Sequence, residues 1–310
     1  QEGAEAVMQA LLHALRRLTR VRSAARLVAP RRIAIIGLGL MGGSLAAALK
    51  RAQPAHALAG VDEAGRLERP RGSGLFTTLH EPSGGAAAVA DAELVFLCAP
   101  WRTNLKLLPQ IARDAGRSAV ITDVGGLKRE VCESAATVFA GPDAPLFVGG
   151  HPMAGKARGG FENASADLFE ERAWVLTPSR DTPIEPLRLL KQVIESTGAI
   201  VQLLRPEEHD AAAVAVSHLP QLAAVALMLC AGGRDRGMAG PGLLDMTRLA
   251  ASPAAQWNDL LGARSPEVIA EIQRLRAYLS EFEIALSLRE GLDKWFDRAN
   301  ALRRELEGRG

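Results

Sequence analysis

The chain has 310 residues, 48% of them hydrophobic, which is enough for one large domain or two ordinary domains with separate cores. Its 37 Lys and Arg residues nearly balance its 35 Asp and Glu residues, which argues against nucleic acid as the main partner, because phosphate binding needs a concentrated basic face. The 3 cysteines are widely spaced and form no CxxC pair, a pattern typical of reduced thiols in a cytoplasmic protein rather than of disulfides or a metal site.

The first segment, residues 1–31, is predicted to be a basic helical extension. Arginines dominate from residue 16 onwards, and helical spacing is shown by Leu11, Leu12, Leu15 and Leu18. One interpretation is an amphipathic helix packed on the body of the protein. The other is a targeting or docking segment, because Arg-rich and acid-poor helices also serve as transit peptides, although Glu2 and Glu5 weaken it. The segment has no continuous apolar core of a signal peptide, so we expect a cytoplasmic protein.

From Arg32 onwards, short apolar runs alternate with segments of helical character. The run RIAIIGLGL is continuously apolar and ends in glycine, as is typical of a parallel strand buried on both faces. Similar runs follow at residues 57–62, 93–100, 118–125, 145–150, 173–178 and 199–204. This alternation predicts a Rossmann-type, doubly wound and mostly parallel α/β sheet. We assign residues 32–204 to this dinucleotide-binding domain.

The motif GLGLMG lies between the first predicted strand and an Ala-rich helix, which is the context that a dinucleotide fingerprint requires. Gly37 permits the tight turn, Gly39 lets the backbone approach a pyrophosphate, and Gly42 allows close packing of the helix on the strand. Leu40 and Met41 begin the helix, whose N–H groups face the phosphates. The alternative is a glycine turn that binds nothing.

Asp62 ends the second predicted strand, where a carboxylate can accept hydrogen bonds from the ribose hydroxyls of a bound adenosine. The same carboxylate would repel a 2′-phosphate, so Asp62 favours NAD over NADP. Arg66 and Arg69 lie close in sequence and could soften that preference.

The ends of the next strands predict the rest of the cofactor crevice, because ligands of such sheets bind beyond the carboxyl ends of the strands. Pro100 closes one strand, and the segment TDVGG closes the next. Within TDVGG, Gly126 lets a cofactor lie close to the backbone. Asp123 binds the cofactor in one interpretation and caps the following helix or turn in the other.

His151 follows a predicted strand that ends beside the expected nicotinamide position, in the sequence GGHPMAG. A dehydrogenase that oxidises an alcohol needs a base to take the hydroxyl proton, and neutral imidazole has a suitable pKa. From position alone, a catalytic base and a structural turn residue are both open interpretations.

Beyond Pro206 no strand pattern remains, and residues 205–310 are predicted to form an all-helical substrate and dimerisation domain. The apolar stretch 211–233 suggests a membrane span, but it is interrupted by polar and helix-breaking residues that would be costly in lipid: Ser217, His218, Pro220 and Gln221. We therefore expect a helix buried on all sides in a protein core, with no membrane. Because a segment this apolar does not suit the surface of a monomer, we also expect a homodimer.

A series of motifs, in order, resembles the prephenate/arogenate dehydrogenase family of tyrosine biosynthesis. They are GLGLMGGSLA, ITDVGGLK, GGHPMAG, HD followed by SHLP, and TRLAASPAAQW, and they run from about Arg32 to Trp257. Many dehydrogenases share the glycine motif, but GGHPMAG followed by SHLP and TRxA is specific to this family. The resemblance implies the NAD-dependent oxidative decarboxylation of prephenate, with arogenate as a possible second substrate, by a dimeric enzyme.

The resemblance also implies roles for individual residues. His151 is expected to accept the proton of the substrate hydroxyl. In SHLP, Ser217 and His218 are expected to contribute to the substrate pocket, together with Gly155 of GGHPMAG. Arg248 of TRLA is expected to bind a substrate carboxylate, which its planar guanidinium suits.

One departure from the family pattern concerns how His151 is held. Relatives carry Ser where this chain has Gly126, and that hydroxyl is thought to orient the catalytic histidine. In this chain a water, or Thr122, would have to substitute for it.

Two other functions stay open. A β-hydroxyacid dehydrogenase generally relies on a catalytic lysine, and the helical half has no matching lysine motif. A non-catalytic dinucleotide-responsive regulator would keep the glycine loop but would not need His151, His218 and Arg248 together.

Overall fold

The computed structural model describes Ala29 and residues 31–156, 158–232 and 236–308, so the predicted extension over residues 1–31 lies almost entirely outside the described residues. The described strands form one sheet in the order β3-β2-β1-β4-β5-β6-β7-β8. Their bounds are β1 Arg32–Ile36, β2 Ala57–Val61, β3 Thr78–His80, β4 Leu94–Leu97, β5 Val120–Asp123, β6 Leu146–Pro152, β7 Ala173–Thr177 and β8 Ile200–Leu203.

Helices connect the strands and then continue alone to the end of the described chain. Within the sheet half they are α1 Leu40–Ala52, α2 Glu68–Gly72, α3 Gly85–Ala90, α4 Trp101–Asp114, α5 Arg129–Val138 and α6 Ile184–Glu195. After the sheet they are α7 Pro206–Ala213, α8 Leu219–Ala231, α9 Pro241–Thr247, α10 Ala254–Ala263, α11 Ser265–Leu288 and α12 Asp293–Glu307.

The sheet is mostly parallel, as predicted. Each neighbouring pair runs parallel except β6 and β7, which pair antiparallel through His151 and Val175 among others. The short edge strand β3 is a finding that the sequence pattern did not predict. Because β1 lies between β2 and β4, the strand order reverses there, and ligands of such sheets bind in the crevice at that point.

Both faces of the sheet are covered, and β1 shows how the sequence achieves this. Ile33 and Ile35 pack into one buried apolar cluster, with Phe96 and Trp174. Ala34 and Ile36 point to the opposite face and belong to a second cluster. A continuous apolar run is what a strand buried on both faces requires.

The first helices of the second half form one long element, Pro206–Ala231, in which a π-helical turn over Val214–His218 joins α7 to α8. By length and composition alone this element could cross a membrane, because its most apolar 18-residue window has a mean hydropathy of 1.8, but the core helix of a soluble protein passes the same test. Only 28% of its most apolar window is buried within the chain, so the prediction of a helix buried on all sides does not hold for a single copy.

Candidate active site

The glycine loop between β1 and α1 leaves room for a ligand at one glycine only. Gly37 has a φ of +95°, and a Cβ there would lie 2.5 Å from the backbone nitrogen of Ala99. A Cβ on Gly42 would lie 2.0 Å from the Gly37 carbonyl oxygen, whereas one on Gly39 would meet no described atom within 4 Å. Gly39 is also the N-cap of α1 and provides no side-chain cap, so N–H groups of the first turn, which includes Leu40 and Met41, stay available.

Asp62 is held at the end of β2 against this loop. Its carboxylate accepts hydrogen bonds from the N–H groups of Leu38 and Glu63, both at 2.7 Å, and the residue is 9% exposed. The two arginines that could soften the preference for NAD pair with acids instead: Arg66 lies 3.8 Å from Glu63, and Arg69 lies 3.0 Å from Glu162. Among the described residues, neither arginine forms an ion pair with Asp62.

The predicted residues at the next strand ends lie at the carboxyl edge of the sheet. Pro100 is the N-cap of α4 and is exposed. Gly126 lies beside the predicted base, because a Cβ there would be 3.9 Å from His151 Cε1 and 3.4 Å from Leu260 Cδ2. Those are ordinary contact distances, so the position is open to a small side chain.

Asp123 has a role inside the protein, which is the alternative that the sequence left open. Its buried carboxylate accepts from Lys128 Nζ at 2.6 Å, from the N–H of Gly125 at 2.8 Å and from the N–H of Gly150 at 3.0 Å. Lys128 Nζ, fully buried, also donates to the Gly150 carbonyl at 2.7 Å. This pair ties the end of β5 to β6 at the residue before His151.

His151 begins a chain of hydrogen bonds that crosses from the sheet to the helical half. Its Nδ1 lies 2.8 Å from His209 Nε2, and His209 Nδ1 lies 2.9 Å from Asp210 Oδ1. The other oxygen of Asp210 accepts from Arg264 Nη2 at 2.6 Å. His209 and Asp210 are each 2% exposed. Side chains from β6, α7 and the start of α11 thus form one connected array.

Asp210 is the anionic anchor of this array. Burial alone would raise its pKa, but the hydrogen bonds from His209, Lys128 and Arg129 and the charge of Arg264 outweigh burial and lower the pKa to about 2. The Lys128 and Arg129 bonds come from backbone N–H groups, at 2.7 Å and 3.1 Å. Asp210 is therefore ionised near neutral pH.

His151 is a neutral imidazole under the same conditions. Burial, followed by the charges of His209, Lys128 and His218, lowers its pKa well below 6.5, and Asp210 opposes this only in part. A neutral imidazole can accept a proton, which is the state that a catalytic base needs.

The predicted substrate residues lie on the π-helical turn and beyond it. His218 is 2% exposed, its ring stands edge-on to Trp257 with centroids 6.1 Å apart, and its Nδ1 has no hydrogen-bond partner in the described part of the chain. Ser217 is partly exposed, and a Cβ on Gly155 would meet no described atom within 4 Å.

Arg248 is exposed, and it forms no ion pair within the described ranges. It begins the short turn Arg248–Ala251, which is tied to α8 because Gln221 Nε2 donates to the Leu249 carbonyl at 2.9 Å. The structure thus brings His218 within electrostatic reach of His151, while Arg248 lies on the turn that contacts α8.

Four residues of the array were not predicted as site residues: Lys128, His209, Asp210 and Arg264. The sequence carried a signal for two of them, because the adjacent His209 and Asp210 precede an apolar helix and would need partners once buried. Thr122, which the sequence offered as a substitute partner for His151, donates instead to the Asp123 carbonyl at 3.5 Å.

The chain is similar to known proteins over most of its length. The family model for the nucleotide-binding domain of prephenate dehydrogenase matches residues 45–203, and that for its dimerization domain matches residues 205–298. A prephenate dehydrogenase of Bacillus subtilis is 31% identical over 283 residues, covering 84% of this chain and 76% of the relative. A cyclohexadienyl dehydrogenase of Zymomonas mobilis is 28% identical, covering 84% of this chain and 89% of the relative.

Solved structures give the same result. The crystal structure of prephenate dehydrogenase from A. aeolicus, in complex with hydroxyphenyl propionate and NAD+, matches with a TM-score of 0.80 at 26% identity, covering 91% of this chain and 100% of that one. Arogenate dehydrogenase from Synechocystis matches with a TM-score of 0.70 at 28% identity, covering 89% and 98%.

Proposed function

Because the chain belongs to the prephenate dehydrogenase family, we propose that it catalyses the NAD-dependent oxidative decarboxylation of prephenate to 4-hydroxyphenylpyruvate, a step of tyrosine biosynthesis. In this reaction a hydride leaves the ring carbon that bears the hydroxyl, the ring carboxylate departs as CO2, and the hydroxyl proton passes to a base. The observation that carries the proposal is a partly buried His151, with its pKa held well below 6.5, at the carboxyl edge of a sheet that has a dinucleotide-binding glycine loop.

The residues of the glycine loop fit NAD. The space beside Gly39 and the uncapped start of α1 suit a pyrophosphate, and the carboxylate of Asp62 suits the ribose hydroxyls. Bound NAD supplies the hydride acceptor. Pro100 and Gly126 would line the same crevice nearer the nicotinamide, whereas the carboxylate of Asp123 would support the crevice through Lys128.

His151 acts as the base in this proposal. Because its pKa lies well below 6.5, the imidazole is free of a second proton at neutral pH and can take the one that the substrate hydroxyl releases. Removing that proton lets the oxygen form a carbonyl as the hydride leaves. Loss of CO2 then makes the ring aromatic, and the proton returns from His151 to the phenolate oxygen to give the phenol.

Positive and polar groups of the helical half would hold the substrate, which is a dianion. Arg248, an exposed guanidinium without an ion pair among the described residues, suits a carboxylate. The buried Nδ1 of His218 has no hydrogen-bond partner among the described residues, and the ring would face the substrate from the same side, with Ser217 and Gly155 lining the pocket.

The proposal is tested by following NADH absorbance with purified protein and a panel of substrates. Prephenate with NAD should be turned over, and NADP should be a poorer cofactor because of Asp62. Arogenate turnover would add the cyclohexadienyl dehydrogenase activity. Turnover of a 3-hydroxy acid alone would replace the proposal with a β-hydroxyacid dehydrogenase, and NAD binding without any turnover would favour a regulator.

We also propose that the enzyme is a cytoplasmic homodimer joined through the helical half. The matched dimerization domain covers residues 205–298. Leu229 on α8 is 75% exposed in the single copy, and exposed apolar side chains continue along α11 with Ile269, Ile284 and Leu286. A patch of this kind is typical of an interface. The cytoplasmic location is supported by three unpaired cysteines: Cys98, Cys132 and Cys230.

A further inference from the structure

We propose that His209 is a positioning residue which, anchored by Asp210 and Arg264, fixes His151 in the tautomer whose Nε2 is free to take a proton. The inference rests on the proposed function only for the identity of the proton that His151 receives.

The direction of the hydrogen bonds follows from Asp210. An ionised carboxylate can only accept, so His209 Nδ1, 2.9 Å away, must carry the hydrogen of that bond. A His209 ring that carries this single hydrogen presents Nε2 as an acceptor. His151 Nδ1, 2.8 Å from it, then donates, which leaves the lone pair on His151 Nε2.

The anchor itself is rigid, because Asp210 accepts four hydrogen bonds besides any role in the site. They come from His209, from Arg264 Nη2 at 2.6 Å, and from the backbone N–H groups of Lys128 and Arg129. These donors belong to α7, the start of α11 and the start of α5. A carboxylate held from three elements keeps its acceptor oxygen fixed against His209 Nδ1.

The same array stabilises His151 after it has taken the proton. The new hydrogen sits on Nε2, so Nδ1 keeps its bond to His209, and the negative charge of Asp210 lies directly behind that ring. The charged and titratable groups that face His151 are His209, Asp210, His218 and Lys128. Among these four groups, Asp210 is the one whose charge stabilises the protonated form of His151.

This arrangement explains how His151 is oriented in a chain that has glycine at position 126. Gly126 offers no hydroxyl, and the hydroxyl of Thr122 donates to the Asp123 carbonyl. In the described residues, His209 is the side chain that hydrogen-bonds to the His151 ring. The orienting contact therefore comes from the helical half of the protein.

The direct test is the tautomer of His151, read from nitrogen NMR shifts of the full chain without substrate and assigned by the loss of its signals in His151→Asn. We expect a protonated Nδ1 and an unprotonated Nε2 in the wild type. In Asp210→Asn the amide can donate to His209 Nδ1, which reverses the array, so His151 should shift towards the Nε2–H tautomer. An Nε2–H tautomer in the wild type would overturn the proposal.

Kinetics provide the second test, through a matched pair of substitutions at one position. His209→Leu removes the acceptor and should lower kcat about 100-fold or more, because a base in the wrong tautomer is nearly inactive. His209→Gln keeps an acceptor oxygen and should recover kcat to within about tenfold of the wild type. NAD affinity should not change in either, because the glycine loop is untouched.

The outcomes separate this proposal from the proposed function. Wild-type turnover of prephenate with an unimpaired His209→Leu would refute the positioning role and leave the function intact. If the protein shows the expected tautomer but does not turn over prephenate, the positioning role stands and the proposed function is refuted. If His209→Leu does not fold, His209→Gln serves as the test instead. The positioning role is then refuted if His209→Gln folds but is as inactive as His151→Asn.

Discussion

At the scale of single residues, the site depends on how surroundings change ordinary side chains. His151 lies in a glycine-flanked strand end, and its base character comes from burial and from three nearby groups that can carry positive charge. Lys128 is fully buried, and its Nζ lies 2.6 Å from one oxygen of Asp123, which is the kind of partner that a buried lysine needs. The sequence places His151 at a strand end but does not specify which neighbours it meets.

The pH dependence of activity follows from the lowered pKa of His151. The neutral imidazole is the active form, so kcat/KM for prephenate should hold as the pH falls through 6.5 and should decline only when the pH passes the lowered pKa. A pH profile of kcat/KM measures this. An acid limb centred above 6.5 would show that His151 is not the titrating base.

Restoring the hydroxyl at position 126 should have little effect, because His209 already holds His151. A Cβ at Gly126 meets Leu260 and His151 only at contact distances, so Gly126→Ser fits without a clash. We expect kcat within about threefold of the wild type, less than the effect of one orienting hydrogen bond. An increase of about tenfold or more would mean that the histidine array alone orients His151 poorly.

At the scale of elements, the apolar runs predicted most of the sheet. The run beginning at Arg32 became β1, and the run at residues 199–204 became β8, Ile200–Leu203. The edge strand β3, Thr78–His80, was missed because three residues with little apolar character give no pattern. The antiparallel pairing of β7 with β6 was missed because an apolar run carries no direction.

The candidate site was only partly predictable for a similar reason. Motifs placed His151 and Asp62, because local sequence fixes a strand end and a glycine loop. The array behind His151 joins residues that are far apart in sequence, because His209 follows His151 by 58 positions and Arg264 follows Asp210 by 54. Such contacts depend on how the helices pack, and a single sequence does not give that packing.

The glycine loop allows a prediction in which two similar substitutions have different effects. Gly37→Ala should lower the free energy of unfolding by about 2 kcal/mol or more, because φ is +95° and the new Cβ would lie 2.5 Å from the Ala99 nitrogen. Gly39→Ala should leave the free energy of unfolding within about 0.5 kcal/mol of the wild type, since the new Cβ would have no described atom within 4 Å.

NAD binding should nevertheless weaken about tenfold in Gly39→Ala, because the methyl group occupies the space assigned to the pyrophosphate. Thermal unfolding and NAD titration measure the two effects. Unchanged NAD affinity in a folded Gly39→Ala would place the pyrophosphate elsewhere.

At the scale of the whole molecule, the helical half has more apolar surface than one copy can bury. The most apolar 18-residue window of the helix Pro206–Ala231 has a mean hydropathy of 1.8, yet only 28% of that window is buried within the chain. Its buried residues include the polar His209, Asp210 and His218, which face the site. The exposed side of the same helix is therefore available to a second copy.

A charge on that exposed side should separate the dimer. Leu229→Arg places a cation where Leu229 is 75% exposed in the single copy, and light scattering should show a shift from dimer to monomer. The matched control is Ile184→Arg, because Ile184 is 78% exposed but lies on α6 of the sheet half. A dimer that survives Leu229→Arg, or a wild type that is monomeric at micromolar concentration, would contradict the proposed interface.

The central claim is that this chain oxidises prephenate with NAD and uses His151 as the base. The measurement that tests it most directly is prephenate-dependent NAD reduction by the wild type and by His151→Asn, with NAD binding measured on both. We predict turnover by the wild type, and a kcat lower by about 100-fold to 10,000-fold in a variant that still binds NAD. Wild-type turnover in His151→Asn would contradict the account.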